Sequence, residues 1–164
     1  MLRMSGRQFR VFVVEDHAAT ARGLKVFLEL AGYLVEVAGD KKSALKLAQH
    51  TPFDVLVCDL NLPDGTGWEL METLRKTTSI RGIVFSAFDE PEHVARSKAA
   101  GFDEHVVKGT TPEALLAAID RVARFEAPAT NGAGTLPAGA VERPAAEPRK
   151  LRSTTRKRKA IARN

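Results

Sequence analysis

Short apolar segments alternate with longer amphipathic segments along residues 10–125 of this chain. The short segments are rich in Val, Ile and Phe and are typical of buried strands. The longer ones repeat apolar residues at intervals of three and four, which is typical of helices. We therefore predict strands over residues 10–14, 33–38, 55–58, 83–86 and 104–107. We predict helices over residues 19–30, 41–49, about 67–74, 90–100 and 112–125. This alternation indicates βαβ units, and therefore an α/β fold with a parallel sheet.

Polar and special residues mark where several of these helices begin and end. Asp40 and Thr111 stand directly before predicted helices, where a side-chain oxygen can accept a backbone N–H and act as an N-cap. Pro91 fits the first turn of a helix, and Gly101 fits the end of the same helix. The boundaries therefore agree with the elements that the apolar pattern predicts.

The composition changes abruptly after residue 125. Residues 126–148 are mostly Ala, Pro and Gly, with too few large apolar side chains to order themselves. Nine of the 25 Lys and Arg residues, but only three of the 20 acidic residues, lie in residues 126–164. We expect a flexible N-terminus over 1–8, one folded domain over 9–125, and a disordered linker with a basic tail over 126–164.

The last 16 residues contain eight Lys and Arg residues and no acidic residue. Such a run attracts polyanions by counterion release, so nucleic acid or an acidic protein is a possible partner of residues 149–164. The run lacks aromatic residues that could stack on bases, so we expect no base selectivity. A solvated disordered end with no partner stays open as the alternative.

Several classes of protein are disfavoured by the rest of the sequence. The apolar runs are far shorter than the ~20 residues of a membrane-spanning helix, and residues 1–8 contain no apolar stretch typical of a signal peptide. The single Cys58 has no partner for an internal disulfide and reads as a small buried residue. We find no helix-turn-helix and no separate catalytic domain. We therefore expect a cytoplasmic protein that is not an enzyme and has no separate catalytic domain.

Polar residues with related chemistry stand where the predicted strands end. Glu15 and Asp16 follow the first strand, Asp59 the third, Ser86 the fourth and Lys108 the fifth. Parallel strands end on one edge of the sheet, so these side chains can converge. Three neighbouring carboxylates need a counter-charge, and oxygen ligands of this kind suit Mg²⁺. Lysine and serine can pair with phosphoryl oxygens, so we predict that Asp59 accepts a phosphoryl group.

The motifs 13–16 (VVED), 57–67 (VCDLNLPDGTG), 85–87 (FSA) and 106–108 (VVK) resemble the receiver domain of bacterial two-component response regulators. The resemblance covers about residues 9–125 and implies a flavodoxin-like (βα)5 fold, doubly wound, with strand order 2-1-3-4-5. It also implies that a sensor histidine kinase or a histidine phosphotransfer protein phosphorylates Asp59. The phosphorylated state would then alter partner binding, and dimerisation through the last helices is possible.

The same resemblance implies roles for particular residues. Asp16, Asp59 and the Asn61 main-chain carbonyl would bind Mg²⁺, and Glu15 would act mostly through water. In addition, Ser86 would be the switch hydroxyl and Lys108 the lysine that pairs with phosphate. Asn61 and Phe88, each two residues after a site residue, would tune dephosphorylation.

Two positions depart from the family pattern. The family usually has proline after the lysine, joined by a cis peptide, whereas here Gly109 follows Lys108. A cis bond before a residue other than proline costs ~2.5–4 kcal/mol, so the sequence leaves open whether this peptide is cis or trans. His105 replaces the rotating aromatic residue three positions before the lysine. An imidazole could still swing between a buried and an exposed position.

Other functions fit the residues less well. A phosphatase with an aspartate nucleophile would need a general acid two residues further on, where Asn61 stands. A flavin-binding module would need an anion-binding loop after the first strand, where Glu15 and Asp16 would repel a phosphate. The alternative of a different class is a nucleic-acid-binding or adaptor protein that acts through the basic tail, with a silent or regulatory receiver.

Overall fold

The computed structural model describes residues 8–124. These residues form a central parallel sheet of five strands, which we number within that sheet: β1 (Arg10–Val14), β2 (Leu34–Ala38), β3 (Val55–Cys58), β4 (Arg81–Ser86) and β5 (Glu104–Val107). The helices are α1 (Ala18–Leu30), α2 (Lys41–Ala48), α3 (Gly67–Leu74), α4 (Pro91–Ala100) and α5 (Pro112–Arg124). The strand order is β2-β1-β3-β4-β5 and every neighbouring pair is parallel. The (βα)5 flavodoxin-like fold and the strand order are thus confirmed.

Alternate residues of each strand face opposite sides of the sheet, and each side has its own apolar core. On one side, Val11, Val13 and Ile83 pack with Leu28 of α1 and Ile119 of α5. The other core includes further strand residues together with α2 and α3 residues: Phe12, Val14, Leu56, Cys58, Ala44, Leu70 and Met71. Burial on both faces explains why the central strands β1 and β3 are apolar runs rather than alternating ones. The sheet is therefore a rigid base for the loops at its carboxyl edge.

The caps that the sequence suggests are present at two helices. Asp40 accepts a hydrogen bond from the Ser43 backbone N–H at 2.6 Å, at the start of α2. Gly101 ends α4 with a φ of 103°, in the left-handed region that glycine adopts at low cost. The helix α5 extends to Arg124, and Phe125, where we predicted its end, lies outside the described residues.

The structure adds two features that the apolar pattern does not indicate. Strand β4 begins at Arg81 rather than at residue 83, because Arg81 and Gly82 pair with Val55 and Leu56 of β3. Between β3 and α3, Asn61–Leu62 and Gly65–Thr66 form a two-stranded antiparallel hairpin. This hairpin stands beside the site described below and defines the path of its loop.

Candidate functional site

Three carboxylates lie together at the carboxyl edge of the sheet. Glu15 and Asp16 follow β1, and Asp59 follows β3, the neighbouring strand in which Cys58 pairs with Val14. One carboxylate oxygen from each residue lies within 4.8 Å of the other two. Glu15 is only 3% exposed and the Asp59 side chain is 12% exposed, whereas Asp16 is exposed. The sequence prediction that these side chains converge therefore agrees with their observed positions.

The Lys108 ammonium group lies between two of these carboxylates. Its Nζ is 2.6 Å from Asp59 Oδ2 and 2.7 Å from Glu15 Oε2. Partial burial acts to lower the pKa of Lys108, but the hydrogen bond to Asp59 and the charge attraction from both Asp59 and Glu15 outweigh it, so the pKa is raised. Lys108 therefore stays charged at neutral pH. It contacts Glu15 as well as the candidate phosphoacceptor Asp59.

Both carboxylate oxygens of Glu15 contact other groups of the protein. Its Oε1 accepts a hydrogen bond from the His17 backbone N–H at 3.1 Å. Its Oε2 is buried and has the ion-pair contact with Lys108, without a well-aligned hydrogen bond among the described residues. Asp16 and Asp59 are the more accessible members of the cluster. This set of oxygen donors, with one ammonium group for three carboxylates, fits a hard divalent cation such as Mg²⁺.

The loop after β3 is fastened at several points. The Asn61 backbone N–H donates to Asp59 Oδ1 at 3.3 Å. Asp64 accepts hydrogen bonds from the backbone N–H groups of Lys41 and Lys42, at 2.7 and 2.8 Å, at the start of α2. The Asn61 side chain is exposed. The loop that carries Asn61 is therefore attached both to the candidate phosphoacceptor and to a neighbouring helix.

Ser86 and His105 meet at the main chain of Phe88. Ser86 is fully buried, and its Oγ accepts a long hydrogen bond of 3.4 Å from the Phe88 N–H. The His105 Nε2–H donates to the Phe88 carbonyl oxygen at 2.6 Å. The His105 Nδ1 is buried and has no hydrogen-bond partner within the described part of the chain. One residue of the loop after β4 thus connects both positions that the sequence singles out as switch residues.

The Phe88 side chain belongs to a partly exposed aromatic cluster. Phe88 is 40% exposed, and its ring centroid lies 5.4 Å from that of His93. His93 stacks on Trp68 at 5.6 Å, and the Arg96 guanidinium lies 4.1 Å from the centre of the Trp68 ring. These contacts connect the β4–α4 loop to α3 and α4. Sequence reasoning missed this cluster because Trp68, on which His93 and Arg96 pack, is distant from them in the chain.

The Lys108–Gly109 peptide is trans, since residues 8–124 contain no cis peptide bond. Gly109 has a φ of 99°, which proline cannot adopt and which other residues adopt only with strain. The departure from the family pattern is therefore accompanied by a different backbone path after Lys108. The Lys108 N–H donates to the Ser86 carbonyl oxygen at 2.7 Å, which fixes the backbone of Lys108 against strand β4.

Replacing Gly109 should reveal how much this backbone conformation matters. A β-carbon at Gly109 would meet no atom within 4 Å, so Gly109→Ala should cost only the strain of a positive φ, about 1 kcal/mol. Gly109→Pro should cost more, because its ring requires a φ near −65°. Urea unfolding of both variants checks this. Gly39→Ala, with an equally open β-carbon position and no positive φ, is the control, and equal stability of all three would contradict it.

Residues 11–120 match the sequence model of the response regulator receiver domain. The nitrate/nitrite response regulator protein NarP of Escherichia coli (strain K12) is 34% identical over 114 residues, which cover 68% of this chain and 53% of NarP. Response regulator ArlR of Staphylococcus epidermidis is 32% identical over 114 residues, covering 70% of this chain and 52% of ArlR. The chain spans about half the length of these curated relatives.

Solved structures give the same result. The chemotaxis protein CheY4 of Vibrio cholerae superposes with a TM-score of 0.68 at 32% identity, covering 71% of this chain and 99% of CheY4. A CheY-like receiver domain protein from Methanospirillum hungatei superposes with a TM-score of 0.66 at 28% identity, over 70% of this chain and 93% of the other. Fold and site together define the class of phosphoacceptor signalling modules. The chain belongs to the response regulator receiver domain family.

The other expectations have different outcomes. None of the helices in residues 8–124 is long and apolar enough to cross a membrane. The described residues contain a receiver fold with no separate catalytic domain evident among them. The tail over 126–164, with its possible polyanion partner, and residues 1–7 of the N-terminus lie outside the described residues. The domain boundaries, a cytoplasmic location and dimerisation through the last helices stay predictions.

Proposed function

We propose that Asp59 accepts a phosphoryl group from a phosphohistidine of a sensor histidine kinase or a histidine phosphotransfer protein. The observation that carries the proposal is the Asp59 carboxylate, which lies 2.6 Å from a charged lysine and within 4.8 Å of Glu15 and Asp16. Phosphoryl transfer depends mainly on positioning and on neutralisation of charge, and this edge of the sheet offers both. The family to which the chain belongs supports the same function.

The step needs no other nucleophile. A carboxylate oxygen of Asp59 forms a bond to phosphorus as the P–N bond of the phosphohistidine breaks, and the electron pair of that bond returns to the imidazole, which takes up a proton. Lys108 pairs with the phosphoryl oxygens, because its flexible ammonium group already lies beside the accepting carboxylate. The receiver itself thus supplies the chemistry for gaining, and later hydrolysing, its phosphoryl group.

The reaction is proposed to depend on Mg²⁺ held by Asp16, Asp59 and the Asn61 main-chain carbonyl, with Glu15 acting through water. Glu15 is 3% exposed and paired with Lys108, so it suits a contact with Mg²⁺ through water. Asp16 is exposed and can bind the ion directly. When bound, Mg²⁺ supplies positive charge that offsets the negative charge of the phosphoryl oxygens.

The structural change caused by phosphorylation is proposed to pass to the protein surface through Ser86, Phe88 and His105. If Ser86 donates a hydrogen bond from its hydroxyl to a phosphoryl oxygen, the hydroxyl moves away from the Phe88 N–H. The present hydrogen bond between them is weak, because it is 3.4 Å long. The His105 imidazole, bonded to the Phe88 carbonyl, would then change its position and alter the surface that partners bind. Nitrogen NMR shifts of the imidazole before and after phosphorylation test this, and unchanged shifts would contradict it.

Phe88 is expected to slow hydrolysis of the phosphorylated form. Its apolar side chain cannot orient an attacking water molecule, and its bulk can exclude one. We expect phosphorylated Phe88→Glu to lose its phosphoryl group faster than wild type, as followed by the decay of label after acetyl phosphate is removed. Phe88→Leu, which keeps an apolar side chain, is the matched control. Equal or slower decay in Phe88→Glu would refute the role.

The proposed function is tested by incubating the protein with acetyl phosphate and Mg²⁺ and locating the modified residue by mass spectrometry. Acetyl phosphate replaces the phosphohistidine, so no cognate kinase has to be known. The expected product is a single phosphoryl group on Asp59 that requires Mg²⁺. A label on Asp16 or another carboxylate, or no label at all, would overturn the assignment.

A further inference from the structure

The first residue of α3 lies directly against the main chain of Asp59. Gly67 is buried, and a β-carbon built on it would overlap the Asp59 carbonyl oxygen. The same β-carbon would lie 3.1 Å from Cys58 Sγ and 3.2 Å from the Asp59 carbonyl carbon. Two of these three atoms belong to the backbone and cannot rotate away. The approach of α3 to the candidate phosphoacceptor therefore requires a residue without a side chain.

The helix side of this contact is fixed. The Gly67 N–H donates to the Leu60 carbonyl oxygen at 2.9 Å. Thr66 and Glu69 form a reciprocal capping box around the start of α3, with both hydrogen bonds at 3.2 Å. Glu69 also accepts a hydrogen bond from Lys41 of α2 at 2.8 Å. The start of α3 has little freedom to retreat from a larger residue at position 67.

On the strand side, the contact involves the backbone of Asp59, the candidate phosphoacceptor itself. The Asp59 N–H donates to the Val14 carbonyl oxygen at 2.9 Å, and the Cys58 thiol donates to the Asp59 carbonyl oxygen at 3.0 Å. Burial raises the pKa of Cys58, and the nearby carboxylates of Asp59 and Glu15 raise it further, so the thiol keeps its proton. If the Asp59 carbonyl is pushed, its peptide rotates about a bond that shares the Cα atom of the carboxylate side chain. The carboxylate then moves relative to Lys108.

We infer that Gly67 is a positioning residue for the phosphoacceptor: its missing side chain allows α3 to hold the Asp59 carbonyl, and thereby the Asp59 carboxylate, in place beside Lys108 and Asp16. The inference rests on the proposed function of Asp59. Because a displacement of about 1 Å can cost ~100-fold in rate, Gly67→Ala should phosphorylate at least about 10-fold more slowly at saturating acetyl phosphate. It should also bind Mg²⁺ several-fold more weakly before any phosphorylation.

The experiment compares the full chain with Gly67→Ala and with Gly39→Ala. Gly39 stands before α2, and a β-carbon there would meet nothing within 4 Å, so it controls for the added methyl group. Mg²⁺ alone is titrated into each protein and followed by the fluorescence of the single tryptophan, Trp68. Urea unfolding of the same samples measures the structural effect. A positioning role predicts that Mg²⁺ affinity and phosphorylation rate fall in Gly67→Ala, whereas Gly39→Ala resembles wild type in both.

A second variant keeps the test decisive if Gly67→Ala folds poorly. Gly67→Ala/Cys58→Ala removes the sulfur contact at 3.1 Å and eases packing around the new methyl group, but it leaves the overlap with the Asp59 carbonyl oxygen, so Mg²⁺ affinity and phosphorylation rate should stay low in this variant. Wild-type affinity and rate in folded Gly67→Ala would overturn the inference. Failure of both variants to fold would also overturn it, because Gly67 would then serve the fold rather than the site. An unlabelled Asp59 in wild type would refute the proposed function, while the Mg²⁺ titrations would still decide the role of Gly67.

Discussion

Asp59→Ala is expected to lose all Mg²⁺-dependent labelling by acetyl phosphate, and Asp59→Asn is expected to lose it as well. Alanine has no oxygen to form the bond to phosphorus, and an uncharged amide is a poor nucleophile. Asp59→Asn should also bind Mg²⁺ more weakly, because a neutral ligand replaces a charged one. The measurement is phosphoryl incorporation, located by mass spectrometry, together with a Mg²⁺ titration of each variant.

The matched control is Asp89→Ala, which removes an exposed aspartate after the neighbouring strand β4. Asp89 forms no ion pair with a described residue, so this variant should phosphorylate at the wild-type rate. Labelling of Asp59→Ala at the wild-type level would rule out Asp59 as the acceptor. Loss of labelling in Asp89→Ala would instead indicate that any charge removed from this edge disables the protein.

Stability should respond to Asp59→Asn in the opposite direction from activity. The substitution loses the attraction between Asp59 and Lys108, at 2.6 Å, and relieves repulsion from Glu15 and Asp16, whose nearest oxygens lie within 4.8 Å. At an effective dielectric constant of about 20, one close attraction and two longer repulsions nearly cancel. The desolvation of a carboxylate that is 12% exposed then decides the sign, so Asp59→Asn should be slightly more stable in the absence of divalent cations.

The sheet and the convergence at its edge could be predicted from the sequence for a physical reason. Strands buried on both faces must be apolar throughout, so β1 and β3 stand out as runs that end at Glu15 and Asp59. A parallel topology then brings successive strand ends to one edge. Which residues approach each other could therefore be predicted for side chains that directly follow a strand.

The contacts within the loops could not be predicted in this way. The position of Lys108 between Glu15 and Asp59 depends on the backbone path through Gly109, whose positive φ has no signal other than the glycine itself. The hydrogen bond from His105 to the Phe88 carbonyl depends on the conformation of the β4–α4 loop. Main-chain carbonyls and close approaches at glycine leave no pattern in side-chain type. Gly109 and His105, on which these contacts depend, are also the two positions at which the sequence departs from the family pattern.

Lys108→Ala should reduce phosphorylation by about 100-fold, because a preorganised positive charge beside a transferring group is worth roughly that factor. It should also lower the free energy of unfolding by about 2 kcal/mol, since Glu15, 3% exposed, would keep a buried charge without its partner. The stability effect is expected below the upper range for buried pairs because a quarter of the Lys108 side chain is exposed and water can replace part of the contact.

The pH dependence of this stability difference has a definite sign. The pKa of Lys108 is raised above its ordinary value of 10.5, so its contribution is fully present below that pH and is lost as the pH rises through the raised pKa. Wild type and Lys108→Ala should therefore differ by a constant amount through neutral pH and converge in strongly alkaline solution. Urea unfolding at a series of pH values measures this difference.

A double variant separates the two roles of Lys108. Lys108→Ala/Glu15→Gln removes the unpaired buried charge, so its stability should return towards wild type while its phosphorylation stays low. Lys98→Ala, which removes an exposed lysine of α4, is the control and should change neither property. If the double variant regained phosphorylation, Lys108 would act by holding Glu15 rather than by pairing with phosphate. If Lys108→Ala were as stable as wild type, the buried Glu15 carboxylate would have to be compensated by a contact other than the 2.7 Å ion pair.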